Sequence, residues 1–355
     1  MPLATPLPPR PETLALGPGR ELVLGELIGR GSSSTVYRAT LVADFRLRRP
    51  VAVKIFDPLP TDEREQVIEG LARATRHAAN VRHPNVAAPE DFGLAASNQP
   101  MIVTELVDGV ALDRFLDSHS NEGERIPTDL ALFIALEIAE GLAGVRDAFT
   151  ADGVRLNMGH HGLAAREVLL SRHGEVKVTD FGISLAMRPS SGVLRLRAFA
   201  RRMATLPPEV ARGARGDARS DVFALGIIMR EMLVGPRFQH GTSDGEVLDM
   251  IAHGAIHTPP MTRALPDPLA GIVRRAIEID PHRRYPHAGL LANDLRRAIA
   301  LMGVGDERVF LRRAIENRFG QQSFEGGLED GLEEDSDGDL DDSGARRARP
   351  RDYDD

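Results

Sequence analysis

Residues 158–182 read MGHHGLAAREVLLSRHGEVKVTDFG, and the rest of the chain is interpreted outward from them. Glu175-Val176-Lys177-Val178-Thr179 is a strand-like run that halts at Asp180-Phe181-Gly182. Upstream of Asp180 the stretch carries Glu167, then the pair His160-His161 followed by Gly162.

The chain has 355 residues and is 42% hydrophobic, enough for a sizeable core in one to three domains. It has no cysteine, which excludes disulfides, thiol catalysis and thiolate zinc sites. No apolar run reaches the roughly 18 residues of a membrane span. The Pro-rich start lacks the charged-then-apolar layout of a signal peptide. A cytoplasmic protein with no membrane span is expected. The net charge of −8 is uneven: residues 321–355 hold 13 acidic side chains against four Arg, so the remainder is close to neutral. A near-neutral body does not suggest a nucleic-acid partner. Of 44 basic residues only Lys54 and Lys177 are lysines. Lys54 lies in Val51-Ala52-Val53-Lys54, where a compact ammonium on a flexible stem does what a planar guanidinium cannot.

In chain order, residues 1–20 read as a Pro-rich, disordered or extended lead-in. Alternating apolar residues then flank Gly29-Arg30-Gly31-Ser32-Ser33-Ser34, with Ile28 before and Val36 after. Such glycines let backbone amides approach anionic oxygens. Residues 61–82 read as a helix, closed by His83-Pro84-Asn85. Residues 101–107, MIVTELV, read as a strand. A long apolar helix is expected over 129–145, opened by Pro127. Later come Pro207-Pro208-Glu209, Ser220-Asp221-Val222-Phe223 and Asp280-Pro281-His282-Arg283-Arg284.

Taken together and in this order, these motifs resemble the eukaryotic-like bacterial Ser/Thr protein kinases, over about residues 21–302. The resemblance implies an α+β, bilobal protein-kinase fold: a β-rich N-lobe with one main helix, about 21–106, and a mostly α-helical C-lobe, about 107–302. An accessory helix over 303–320 and a disordered acidic tail over 321–355 would follow. ATP and Mg²⁺ are the implied cofactors. Ile28, Gly29, Gly31, Val36, Ala52, Lys54, Glu105, Val107, Leu169 and Asp180 are the implied nucleotide contacts, with Thr104 as gatekeeper. Asp180 and Glu167 are the implied metal ligands. His160, Phe181, Asp221 and a Glu209–Arg284 ion pair are the implied structural residues.

The departures from the family pattern are concentrated in the transfer machinery. Gly162 stands at the catalytic Asp position, Ala164 at the loop Lys and Glu167 at the loop Asn. The helix Glu that pairs with the strand Lys falls at Ala74. At about 100° per residue, neither Glu65 nor Glu69 shares its face. Loss of a general base typically costs about 10²–10⁴ in rate. The reading that follows is a pseudokinase: a regulatory or scaffolding module that binds ATP and acts on a protein partner or client kinase. The alternative is an active but atypical Ser/Thr protein kinase that uses Glu167 or His161. A third reading, an interaction domain with an empty cleft, leaves the presence of Lys54 without a purpose.

Overall fold

The structure, a computed structural model, describes residues 12–31, 33–59, 61–95, 98–187, 203–235, 244–253, 265–267 and 269–320. The acidic segment 321–355 lies outside the described residues, as do Ser190 and Ser191 of residues 183–206, the interval that the resemblance implies is the activation segment.

The N-terminal lobe is built on a six-stranded antiparallel sheet. Its strands are β1 (Thr13–Gly17), β2 (Arg20–Arg30), β3 (Ser34–Val42), β4 (Arg48–Phe56), β5 (Pro89–Leu94) and β6 (Pro100–Glu105), in spatial order β1-β2-β3-β4-β6-β5. The expected lead-in therefore needs correction. Thr13–Gly17 is a strand paired to β2, and Leu14 opposite Leu22 is buried in the sheet's core. An apolar side chain at every second position from Leu14 gives the strand a face to bury. Leu22, Leu41, Val51, Val53, Met101 and Val103 close that core.

The main helix of this lobe, α1 (Arg64–Ala78), is shorter than expected. It buries Val67, Leu71, Ala74 and Ala78, spaced to lie on one face. Val67 and Leu71 join Phe56 and Ile102 of the sheet in a second cluster. Asn85 ties the lobes together: its amide donates to Glu137 Oε2 at 2.7 Å and to Val176 O at 2.9 Å.

The second lobe opens with a small sheet of β7 (Gly109–Ala111), β8 (Val168–Ser171) and β9 (Val176–Val178). Helices α2 (Leu112–Asn121) and α3 (Thr128–Asp147) precede β8. After β9 come α4 (Ile183–Ala186), α5 (Pro208–Ala211), α6 (Ala218–Val234), α7 (Asp244–Ala252), α8 (Leu269–Ala276), α9 (Ala288–Met302) and α10 (Arg308–Phe319). Helices α3 and α6 are apolar around most of their circumference because both are enclosed by the others. Asp217 starts α6 with a capping box: its carboxylate accepts from Arg219 N–H at 2.8 Å, and its own N–H donates to Ser220 Oγ. That fixed start aims Asp221, one turn in, at the loop that carries His160.

Glu209 and Arg284 meet as a bidentate pair, both contacts at 2.8 Å. The Arg284 side chain is fully buried. It also donates to Glu278 O at 2.6 Å and stacks over Phe223 at 4.6 Å. Removing one partner of such a pair costs roughly 3–5 kcal/mol, because the other is left charged and dry.

Candidate active-site cleft

The upper wall is built by register. Val36 on β3 stands opposite Lys54 on β4, and Ala52 stands opposite both Arg38 and Thr104. The β2–β3 turn is closed by Gly31 N–H donating to Ser34 O at 2.7 Å. A Cβ on Gly31 would sit 3.2 Å from Ser34 Oγ, a tight contact with the end of a short side chain. Below, Leu169 on β8 pairs with Lys177 on β9. Glu105, at the end of β6, receives Lys177 Nζ at 2.9 Å. The second lysine of the chain thus braces the strand between the lobes against the floor of the cleft. Nothing in the sequence pattern announces this contact, which joins residues 72 positions apart.

Asp180 has φ +65°, a left-handed conformation uncommon for a side-chain-bearing residue. It is held from both sides. Its carboxylate pairs with Lys54, and the two side chains are 12% and 20% exposed. Behind it, His160 Nε2 lies 2.9 Å from Thr179 O, and Gly182 N–H donates to His160 O at 3.2 Å. The His160 ring lies 4.9 Å from that of Phe181. Asp221, fully buried, accepts from the N–H groups of His160 at 2.7 Å and His161 at 2.9 Å. Burial pushes the Asp221 carboxyl up to about 7; the two N–H bonds oppose the rise and Asp217 adds to it.

Ala74 occupies the helix position where a lysine-pairing Glu was sought, and it is buried. Glu65 and Glu69 are exposed. Lys54 finds its counter-charge in Asp180 instead. The space beside Ala74 is taken by the chain after Asp180: a Cβ on Gly182 would sit 3.2 Å from Ala74 Cβ, and one on Gly70 would sit 3.2 Å from Ala186 Cβ. Ile183 of α4 enters the cluster of Phe56, Leu71 and Ile102.

Placement bears on two of the expected roles. Glu167, named as a metal ligand, is 3% exposed and folded back, with Oε2 accepting from Ala164 N–H at 3.0 Å. The carboxylate caps its own turn. Among the described residues no group of three or more His, Asp or Glu is arranged to hold a metal ion. His161, the candidate substitute base, has φ +63°. It lines a cavity of about 320 Å³ together with Met158, Gly159 and Asp221 and with Leu142, Arg146 and Arg219. Gly162 follows, with no side chain to offer. Thr205 is buried and its hydroxyl donates to Leu163 O at 2.7 Å, so this end of the expected activation segment is sewn to the loop.

A family model described as protein tyrosine and serine/threonine kinase matches residues 22–293. The chain belongs to this kinase family. It is 33% identical over 288 residues to the serine/threonine-protein kinase PknB of Mycolicibacterium smegmatis, covering 77% of this chain and 42% of that protein. It is 27% identical over 314 residues to the tyrosine-protein kinase MasK of Myxococcus xanthus, covering 87% of this chain and 48% of that one. The chain thus spans less than half the length of these relatives. Among solved structures, the kinase domain of Mycobacterium tuberculosis PknI matches with a TM-score of 0.58 at 21% identity, over 81% of this chain and 99% of that one. The bilobal kinase fold expected from the motifs is the fold observed, and the relatives place the chain among eukaryotic-like bacterial Ser/Thr kinases. No helix among the described residues is long and apolar enough to cross a membrane.

Proposed function

We propose that this kinase-family chain is a pseudokinase: a module that binds ATP with Mg²⁺ and passes its conformation to a protein partner, such as a client kinase, without efficient phosphoryl transfer. The carrying observation is the loop 160–167. Gly162 offers no base, Glu167 caps Ala164 N–H, and His161 lines a cavity shared with Arg146, Asp217 and Arg219.

The nucleotide parts fit the implied group. Lys54 presents an ammonium for the α/β-phosphates and Asp180 a carboxylate for Mg²⁺, side by side and partly exposed. Bound Mg²⁺ would supply charge neutralisation at the phosphates. Since each of these side chains now satisfies the other, occupancy of the cleft separates them. That change reaches α1 through the contact of Gly182 with Ala74. Glu105 is engaged by Lys177, which leaves main-chain groups of residues 105–107 to meet an adenine.

The alternative, an atypical Ser/Thr kinase, is favoured by the retention of Lys54 and Asp180 as a pair. One experiment separates them: transfer from labelled Mg-ATP to the protein itself and to a generic basic substrate, with Lys54→Ala alongside. The pseudokinase reading expects no transfer above the Lys54→Ala background. It also expects a nucleotide-dependent rise in Tm that the variant loses, since a ligand that binds only the folded state stabilises it by mass action. Transfer that vanishes in Lys54→Ala would overturn it. No Tm response in either protein would point to an interaction domain whose cleft binds nothing.

A further inference from the structure

The cavity that His161 lines has a chemistry of its own. Its volume, about 320 Å³, lies at the lower end of the range that holds small ligands. Three helices meet around it. The last turn of α3 brings Arg146, the first turn of α6 brings Arg219, and the first turn of α9 brings Ala288. A Cβ on Gly159 would lie 2.9 Å from Asp221 Oδ2 and 3.1 Å from His161 Nε2, so the glycine keeps that side of the cavity open.

The positive groups there outnumber the acceptors that meet them. Arg219 is engaged: Nε and Nη2 donate to Asp217 at 3.0 and 2.7 Å, and Nη1 lies 3.2 Å from His282 Nδ1. Arg146 is not. Among the described residues its one hydrogen bond runs from Nη1 to Asp147 Oδ1 at 2.8 Å, although its side chain is only 24% exposed. A guanidinium carries five N–H donors, so most of those on Arg146 have no acceptor in the protein. Helix α9 adds to the excess. His287 at its N-cap makes no side-chain capping bond, which leaves the first-turn N–H groups without a side-chain acceptor. The buried Nδ1 of His287 has no hydrogen-bond partner among the described residues either. Burial, and then the charge of Arg146, hold this imidazole below its usual range, so the field of Arg146 is felt at the start of α9. The two carboxylates on the wall are committed elsewhere: Asp217 to Arg219 and the cap of α6, Asp221 to the N–H groups of His160 and His161. Leu142 and Met158 supply an apolar side.

We propose that this cavity binds the phosphate group of a small molecule with an apolar body. Arg146, Arg219 and the N-terminus of α9 meet the phosphate, and the apolar part lies against Leu142 and Met158. Guanidinium forks match phosphate oxygens in pairs, and donors arriving from three elements suit a tetrahedral group with several oxygens better than a flat carboxylate. The volume leaves room for more than the phosphate itself. An occupant rests against His161 and Asp221, and so against the loop that carries Gly162, which makes this an effector site. The proposal is independent of whether ATP binds at Lys54 and Asp180.

The test follows the Tm of the full chain during titration with phenyl phosphate and, in parallel, inorganic phosphate, at constant ionic strength. A saturable rise is expected, larger for phenyl phosphate, because a ligand of the folded state stabilises it by mass action. The rise should persist in Lys54→Ala, whose cleft has no ammonium to meet a phosphate. Arg146→Gln should weaken the apparent affinity by roughly tenfold or more, the worth of a hydrogen bond to a charged group. Ala218→Glu is a second variant: an acidic residue in the first turn suits helix α6, while its carboxylate enters the cavity and should abolish the response. No rise with either probe overturns the proposal, as does a rise that Arg146→Gln and Ala218→Glu both keep. A rise lost in Lys54→Ala would place the phosphate in the cleft and overturn it too. A response to inorganic phosphate that equals or exceeds that to phenyl phosphate would assign the cavity to the free ion and overturn the small-molecule occupant.

Discussion

Asp221 shows how a single side chain can serve position at the expense of charge. Two N–H groups of the catalytic loop end on its carboxylate, and its burial raises the carboxyl from an ordinary 3.8 to about 7. The folded state therefore holds a proton there that the unfolded state releases. The stability this contributes is fully present below about pH 4 and is lost as pH rises toward about 7. Glu231, raised to about 7 chiefly by burial, moves the same way. Asp221→Asn should flatten the decline in urea-unfolding free energy between pH 4 and 7 without abolishing it; equal slopes in both proteins would sink the assignment. Glu209 runs oppositely: burial pushes it up, but Arg284 and Ser220 outweigh this and hold it below the usual range. The partners of Asp221 and Glu209 were legible because the motifs carrying them arrive in family order. The Glu105–Lys177 contact was not, since it depends on how two strands from different lobes overlap.

At the scale of elements, α1 and α4 pack through small groups. Gly70 and Ala74 on one side face Ala186 and Gly182 on the other. The sequence reading of Ala74 saw only what was missing, a carboxylate to meet Lys54. The packing supplies the reason it is absent: a longer side chain there would displace the segment after Asp180, which puts Ile183 among Phe56, Leu71 and Ile102. Gly70→Leu should overpack this contact and destabilise the fold by about 1–3 kcal/mol. The denaturant midpoint measures it. An unchanged midpoint would mean that α4 is not seated on α1 in solution.

For the molecule as a whole, the kinase domain does not finish where the family model does. The match stops at residue 293, yet α10 (Arg308–Phe319) buries Leu311 and Ile315 completely in the C-lobe core. Arg318 pairs with Glu122 at 2.6 Å and with Glu124, and Arg308 O crowds Gly174 at the β8–β9 turn. The helix is therefore part of the cooperative unit, and Leu311→Ala should cost about 2–5 kcal/mol, as for other fully buried leucines. A thermal melt in which the variant matches the wild type would instead make α10 an appendage. A helix over 303–320 was readable from the sequence. Its seat against β8 and the end of α2 was not, because an amphipathic pattern specifies that a face is buried and not against what.

The order of motifs along the chain was sufficient for the bilobal fold, the Glu209–Arg284 pair and the loss of side chains at Gly162, Ala164 and Ala74. Those are properties of residue identity at fixed spacing, and chemistry removed from a position is visible without coordinates. Tertiary structure alone decided that Lys54 turns to Asp180, that Glu167 caps its own turn and that His161 lines a cavity with Arg146 and Arg219. Each of those outcomes is a competition among nearby partners. Distance and burial settle such competitions, and neither is written in the spacing of residues along a strand or helix.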